Sequence, residues 1–277
     1  MDNPQPDSDP DSLTFPLGPV SPGLLVGALL GAFAVTFAGA ALLEPLIVWF
    51  NFSDWMLAPA LNQLLNLLVT AMPAVFLYLV ILPQVPHLNS GMQIPSRSED
   101  WFRILSFSLL GIGLVLLADF VTSGFGTSTN SALAVPYGGM EGQVEELRQY
   151  QQGHGGAPLP AHYASFFGLN ELVLSAILVL GSPLIEEYIC RGVFLPLFHG
   201  FFDGRLTSFG AYARPFNCLF SVVLSALLFA LPHAEAVFSQ FLFGLIMGWL
   251  YLRSGNIWSS VLVHVMNNAL VAVVYFA

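Results

Sequence analysis

The chain has 277 residues, of which 56% are hydrophobic and only 9% are charged. A soluble domain carries roughly 25% charged residues, so this composition excludes a soluble enzyme and a disordered protein. All seven basic residues are arginines and the formal net charge is −10, which is the wrong sign for binding a nucleic-acid backbone. Two cysteines cannot build a disulfide framework. We therefore expect a polytopic membrane protein with lipids, and no nucleic acid, among its partners.

Residues 1–22 form a distinct N-terminal segment with four aspartates, six prolines and no basic residue. A secretory signal begins with positive charge, and this segment has none. Its composition is typical of a solvated chain that cannot bury a core. We predict a disordered acidic tail.

The rest of the chain is dominated by apolar stretches of about the 20 residues that cross a bilayer as a helix. Seven stretches qualify, and an eighth helix could be hidden in one of the two longest. The seven are 23–50, 57–82, 102–125, 166–198, 216–231, 237–252 and 257–276. The predicted fold is an all-α, polytopic transmembrane helical bundle of seven to eight spans. It divides into three N-terminal spans (23–126), a polar loop (127–165) and a motif-bearing core (166–277).

Arginine placement predicts the orientation of the bundle. Arg97 and Arg103 follow the second span, Arg205 and Arg214 follow the fourth, and Arg253 follows the sixth. With seven spans these loops share one side with the N-terminus, and arginine-rich loops face the cytoplasm. We expect an integral protein of a prokaryotic plasma membrane, with the N-terminus cytoplasmic and the 127–165 loop extracytoplasmic.

The fourth stretch carries charged residues where lipid or protein interior is expected. Glu186 and Glu187 are adjacent, so on a helix their side chains point about 100° apart. Glu187 and Arg191 are four residues apart, which predicts an ion pair along one face and leaves Glu186 facing elsewhere. Ionisable residues inside a span are functional candidates. The alternative is a structural ion cluster that ties helices together.

Two further places on the last spans carry polar groups. Phe229 is followed four residues later by His233, just past the end of the fifth span. His264 and Asn268 share one face of the seventh span among apolar neighbours. The alternatives are an interfacial histidine at His233 and an interhelical hydrogen bond at His264 and Asn268.

A carboxylate and two imidazoles in an apolar pocket suit the activation of water. Glu186 with His233 can supply the base, and His264 with Asn268 can donate hydrogen bonds to an oxyanion. The same residues also fit metal chemistry, because Glu186, His233 and His264 are a zinc-hydrolase ligand set. The usual H-E-x-x-H helix motif of metalloproteases is absent. The residues alone leave both mechanisms open.

These motifs, taken in order, resemble the signature of the CAAX-protease and bacteriocin-processing family of intramembrane endopeptidases, which includes the Ras-converting prenyl-protein endopeptidases. They are Glu186-Glu187-x-x-x-Arg191, Phe229-x-x-x-His233 and His264-x-x-x-Asn268, and the stretch from Phe243-Gly244 to Asn256 is also similar to the family pattern.

The resemblance implies a catalytic Glu186, a water-activating His233 and an oxyanion side made of His264 and Asn268. Glu187, Arg191 and Phe229 have supporting roles. It also implies a hydrophobic or lipidated peptide substrate, such as a prenylated CAAX protein or a leader peptide, reached from the cytoplasmic side. The family is often labelled metallopeptidase. We expect a mechanism without a cofactor, with zinc on Glu186, His233 and His264 as the alternative.

Two other classes of protein fit the same residues. One is a non-catalytic membrane scaffold or immunity protein that keeps the motif residues, and the other is a metal-binding membrane protein. Simple counting places His233 near the outer face, away from Glu186. For an enzyme we therefore expect the turn at His233 to end inside the protein and tilt toward the other motif residues.

Overall fold

The computed structural model describes residues 19–51, 58–85, 93–124, 176–203, 205–233 and 237–276. Within these ranges 89% of the residues are helical and none lies in a strand. The expected all-α class is confirmed for this part of the chain. Most of the predicted acidic tail and the whole 127–165 loop lie outside it.

Three long helices come first. They are α1 (Pro22–Asn51), α2 (Ala58–Phe76) and α3 (Ser98–Gly124). Proline opens α1, and the Ser21 hydroxyl accepts a hydrogen bond from the Leu24 amide, which satisfies one of the free amides at the helix start. α2 continues through a π-helical turn, Leu77–Ile81, and a 3-10 turn, Leu82–Gln84.

The described part of the fourth apolar stretch is helical from residue 176 to 202 and alternates between two geometries. The order is a π-helical segment Ile177–Gly181, α4 (Ser182–Glu187), a second π-helical segment Tyr188–Phe194 and α5 (Leu195–Phe202). Proline is the second residue of both α4 and α5. Its ring clashes with a carbonyl of the preceding turn, and a widened π turn before each proline relieves that clash. The helix thus continues through Gly181-Ser182-Pro183.

The remaining helices follow a 3-10 segment, Thr207–Tyr212. They are α6 (Ala213–Ala230), α7 (Val237–Ser254) and α8 (Trp258–Phe276). The Asn256 side chain accepts a hydrogen bond from the Trp258 amide at 2.9 Å and so caps the start of α8.

Helix packing gives two antiparallel pairs. α1 lies along α2, and α6 lies along α7, while α3 packs against α7 and α8 and α5 packs against α6. A buried apolar cluster connects α3, the second π-helical segment, α6, α7 and α8. Its members are Ile112, Val115, Cys190, Phe229, Phe243, Met247, Leu250 and Val263. The motif residues lie beside this cluster.

Five helical stretches in the described ranges are long and apolar enough to cross a membrane. They are Pro22–Leu46, Leu64–Gln84, Ser98–Ala118, Thr207–Ala230 and Val237–Ser254. The chain is therefore an integral membrane protein, as composition predicts. The helical run 176–202 and α8 correspond to the other two stretches expected from the sequence. The total of seven to eight spans stays a prediction.

Candidate active site

The site is built around the carboxylate of Glu187, at the end of α4. Glu187 is fully buried, and its Oε1 lies 3.0 Å from Nη1 of Arg191, which is also fully buried. The ion pair expected from the four-residue spacing is therefore present. The same Oε1 lies 3.0 Å from Nδ1 of His264 on α8. One buried oxygen thus connects two helices.

Arg191 in turn connects the cluster to α6 and α7. Its Nη2 donates a hydrogen bond to the Gly244 carbonyl at 3.1 Å, and its guanidinium carbon lies 4.6 Å from the centre of the Phe229 ring. Glycine at 244 is required by close packing, because a Cβ there would lie 2.9 Å from the Cα of Ala226. The absence of a side chain lets α7 approach α6 closely enough to present this carbonyl.

The two adjacent glutamates have different environments. The Glu186 side chain is 23% exposed, whereas that of Glu187 is 0% exposed. Oε2 of Glu186 lies 3.8 Å from Nε2 of His264. The His264 imidazole therefore stands between the two carboxylates, with one nitrogen bonded to the buried carboxylate and the other facing the accessible one.

Aromatic rings form one wall of the site. The Phe229 ring is edge-on to the His264 ring at 5.7 Å and close to the His233 ring at 5.1 Å. Phe243 is edge-on to His264 at 5.0 Å. The structure therefore brings both motif histidines into contact with the Phe229 ring at the end of α6. Simple counting along the chain instead predicts His233 near the outer face, away from Glu186.

The remaining motif contacts fix ring orientation. Nδ1 of His233 lies 2.9 Å from the carbonyl oxygen of Phe229, the residue one turn earlier. Because a carbonyl only accepts, Nδ1 carries the proton, which leaves Nε2 as the free nitrogen in a neutral ring. Asn268 is buried one turn beyond His264 on α8.

The candidate zinc ligands do not form a metal site in the described ranges. No group of three or more His, Cys, Asp or Glu side chains there is arranged to hold a metal ion. As they lie, Glu186, His233 and His264 do not fit a zinc centre, which needs at least three protein ligands at about 2 Å from one point.

Sequence reasoning assigned no role to the Gly244 carbonyl, Phe243 or Ser225, whose hydroxyl donates to the Cys190 carbonyl at 2.9 Å. A signal for the close approach of α6 and α7 was nevertheless present. Ser221 and Ser225 are four apart on α6, and Gly244 and Gly248 are four apart on α7. Small residues at this spacing are typical of tightly crossing membrane helices.

A membrane-embedded helical core with a buried Glu–Arg–His cluster and an accessible second glutamate defines a polar site enclosed within apolar helices. Residues 168–270 match the family model described as type II CAAX prenyl endopeptidase Rce1-like. This match confirms, for residues 168–270, the resemblance to the CAAX-protease family seen in the three motifs. The match indicates a protease. No curated protein and no solved structure matches the chain.

Proposed function

We propose that the chain is an intramembrane endopeptidase that hydrolyses a peptide bond near the membrane interface of a lipidated or hydrophobic substrate. A CAAX-type prenyl protein or a leader peptide has the required chemistry, since one end of each is apolar. The observation that carries the proposal is the position of His264 between a buried carboxylate and an accessible one.

Glu186 is the general base of the proposed reaction. A base must reach the water that it deprotonates, and of the two adjacent carboxylates only Glu186 is partly exposed. Nε2 of His233 is the second acceptor for the water, because its Nδ1–H is bonded to the Phe229 carbonyl. Together they orient the water toward the scissile carbonyl.

His264 and Asn268 form the oxyanion side. His264 can donate from both ring nitrogens only when it is doubly protonated, with one N–H to Glu187 and the other into the site. Nδ1 of the ring lies 3.0 Å from the Glu187 carboxylate and Nε2 lies 3.8 Å from that of Glu186, so the second nitrogen faces the accessible side of the site. Donors held in place before the reaction stabilise the charge that develops on the carbonyl oxygen.

Glu187 and Arg191 act on substrate only through His264. Their ion pair holds the Glu187 carboxylate beside Nδ1 of His264. This contact fixes the plane of the imidazole ring, as carboxylates do for catalytic histidines in other proteins. The Phe229 ring contacts the Arg191 guanidinium and the rings of both histidines. The proposed mechanism uses these side chains and includes no step through a metal.

The test is cleavage of a quenched fluorescent prenylated peptide by the full chain in nanodiscs. Glu186→Gln removes the base with almost no change in volume, and we expect a loss of about 10²–10⁴-fold in kcat/KM. Glu44→Gln is the matched control, because Glu44 is an exposed carboxylate on α1 and the same substitution there leaves cleavage unchanged. Wild-type activity is also measured after treatment with a strong chelator and is expected to persist.

Three outcomes separate the alternatives. Full activity in Glu186→Gln contradicts the assigned base. Loss of wild-type activity in chelator, restored by added zinc, contradicts the metal-free mechanism. A wild-type chain that cleaves neither a prenylated nor a leader-type peptide favours the non-catalytic scaffold.

A further inference from the structure

A ladder of aromatic rings runs up one face of α6 and the 3-10 segment before it. Phe209 and Tyr212 lie 5.1 and 6.3 Å from Phe216, and Phe216 lies 6.1 Å from Phe220, centre to centre. We refer to these four residues as the aromatic ladder. It lies at the opposite end of α6 from Phe229 and His233 and takes no part in the proposed chemistry.

The ladder faces away from the protein. Phe209, Tyr212 and Phe220 are 50%, 69% and 42% exposed. A contiguous set of exposed rings marks a surface that something else covers. The sequence instead predicts a polar cytoplasmic loop over residues 203–214, because Asp203, Arg205 and Arg214 are charged.

Length and charge identify what covers the ladder. α6 (Ala213–Ala230) has 18 residues, which at 1.5 Å per residue is about 27 Å and close to the thickness of a ~30 Å hydrocarbon core. The 3-10 segment with its turn at Gly210 precedes α6 and therefore lies at the edge of that core. Arg205 precedes the ladder and Arg214 lies within it, against a single acidic residue, Asp203. Aromatic rings combined with arginine are characteristic of the headgroup layer.

We infer that the aromatic ladder is a membrane-interface anchor that seats residues 205–216 in a headgroup layer containing anionic lipid. The guanidinium of Arg205 lies 4.3 Å from the Phe201 ring centre and donates to the Phe201 carbonyl, so its charge is held at the end of α5, four residues before the first ladder ring. The anchor goes beyond the proposed enzyme function and does not depend on it.

The local backbone supports this placement. Gly210 has φ 55° and ψ −124°, a conformation that residues with a Cβ rarely adopt. A side chain at 210 would meet open space, so the conformation, and not crowding, calls for glycine there. The turn at Gly210 separates Phe209 from Tyr212 and allows both rings to contact Phe216.

The anchor also has a consequence for the site. α6 is an uninterrupted helix from Ala213 to Ala230, so fixing the depth of one end fixes the depth of Phe229 at the other. His233 is bonded to that residue. The ladder thereby sets the height in the bilayer at which the motif histidine is presented.

Spin labels at three positions test the anchor in nanodiscs of phosphatidylcholine with phosphatidylglycerol. The variants are Phe209→Cys, Tyr212→Cys and, as matched control at an exposed polar position of the same segment, Ser208→Cys, in a Cys190→Ala, Cys218→Ala background. We expect labels at 209 and 212 to be accessible to oxygen and protected from a water-soluble nickel complex, with the reverse at 208. In phosphatidylcholine alone, the ratio of oxygen to nickel accessibility at 212 is expected to fall.

Each alternative has its own signature. Nickel access at all three positions means a solvated loop and overturns the anchor. Protection of 209 and 212 from both reagents means that a protein partner covers the rings, which also overturns it. If the ratio of oxygen to nickel accessibility at 212 is the same in phosphatidylcholine alone, the inference that the headgroup layer must contain anionic lipid is wrong. Should the cysteine-free background not fold, the unaltered chain is tested with a headgroup-located photocrosslinking lipid. Absence of label on residues 205–216 then counts against the anchor.

Discussion

The first three helices and the motif-bearing helices are built on different principles. In the spans that contain α1, α2 and α3, 22%, 17% and 22% of the most apolar 18 residues are buried within the protein, whereas the shares for the spans that contain α6 and α7 are 39% and 50%. The two regions differ more sharply in the number of buried polar side chains. Among the side chains that the structure describes, Ser108 is the one buried polar side chain of the first three helices, while the later helices hold Glu187, Arg191, His199, Asn217, Ser221, Ser225, Gln240, Ser254, Ser259, Ser260, His264 and Asn268.

This difference shows where the fold tolerates change. The first three helices turn most of their surface to lipid and pack through apolar side chains, for which lipid is an equally good solvent. The later helices enclose charges that must be paired, because an uncompensated buried charge is very costly. Substitutions of one kind should therefore have unequal effects in the two regions.

Arg191→Met should have the largest effect on stability. It keeps the volume of the side chain but leaves the Glu187 carboxylate buried beside His264 without its cation. Breaking a buried pair from one side costs about 3–5 kcal/mol. Unfolding of the purified protein in mixed micelles by a denaturing detergent measures this loss.

Arg103→Gln is the control for the arginine pair. Arg103 is exposed on α3 and donates to the Arg253 carbonyl at 2.7 Å, so its loss should cost about 1 kcal/mol or less. Equal losses for the two variants would contradict the view that charge burial distinguishes the regions.

Gly244→Ala should have an intermediate effect. The new methyl would lie 2.9 and 3.0 Å from the Cα and Cβ of Ala226. Because the first of these is backbone, α6 and α7 must separate, and overpacking of this kind costs about 1–3 kcal/mol. Cleavage should fall as well, since the Gly244 carbonyl that holds Arg191 moves with α7.

Gly39→Ala is the matched control in α1. There the added Cβ meets the Sδ of Met72, the far end of a flexible side chain, which can move aside. Alanine also favours a helix over glycine by about 0.5–1 kcal/mol, so we expect stability within about 1 kcal/mol of wild type. A loss at 39 as large as that at 244 would show that the α1–α2 contact is as rigid as the α6–α7 contact.

Much of the fold and part of the site could be predicted from sequence. Long apolar stretches are sufficient to predict helices in a membrane, and the four-residue spacing of Glu187 and Arg191 is sufficient to predict their ion pair. The contact of Glu187 with His264 spans 77 residues along the chain, and no local pattern encodes it. The arrangement of rings around Phe229 depends in the same way on how α6, α7 and α8 cross. The π-helical turn before Pro183 was missed because the sequence signal is a proline, which predicts a disturbance but not its form.

Ser108→Ala should have the smallest effect and tests the boundary between the two regions. The Ser108 hydroxyl donates to the Ile104 carbonyl at 2.8 Å on its own helix and lies 3.2 Å from the Ser259 carbonyl on α8. It has one proton, so it can satisfy only one of these carbonyls at a time. Interhelical hydrogen bonds in membranes are worth about 0.6 kcal/mol on average, and we expect a loss of that size in detergent unfolding.

Ser106→Ala is the control, because the exposed Ser106 hydroxyl donates only within α3, to Phe102 at 2.8 Å, and its removal should leave stability unchanged. If Ser108→Ala instead cost as much as Gly244→Ala, α3 would belong energetically to the motif-bearing helices. The lipid-facing region would then consist of α1 and α2 alone. That result is physically reasonable, because α3 packs against both α7 and α8, whereas α1 packs chiefly along α2.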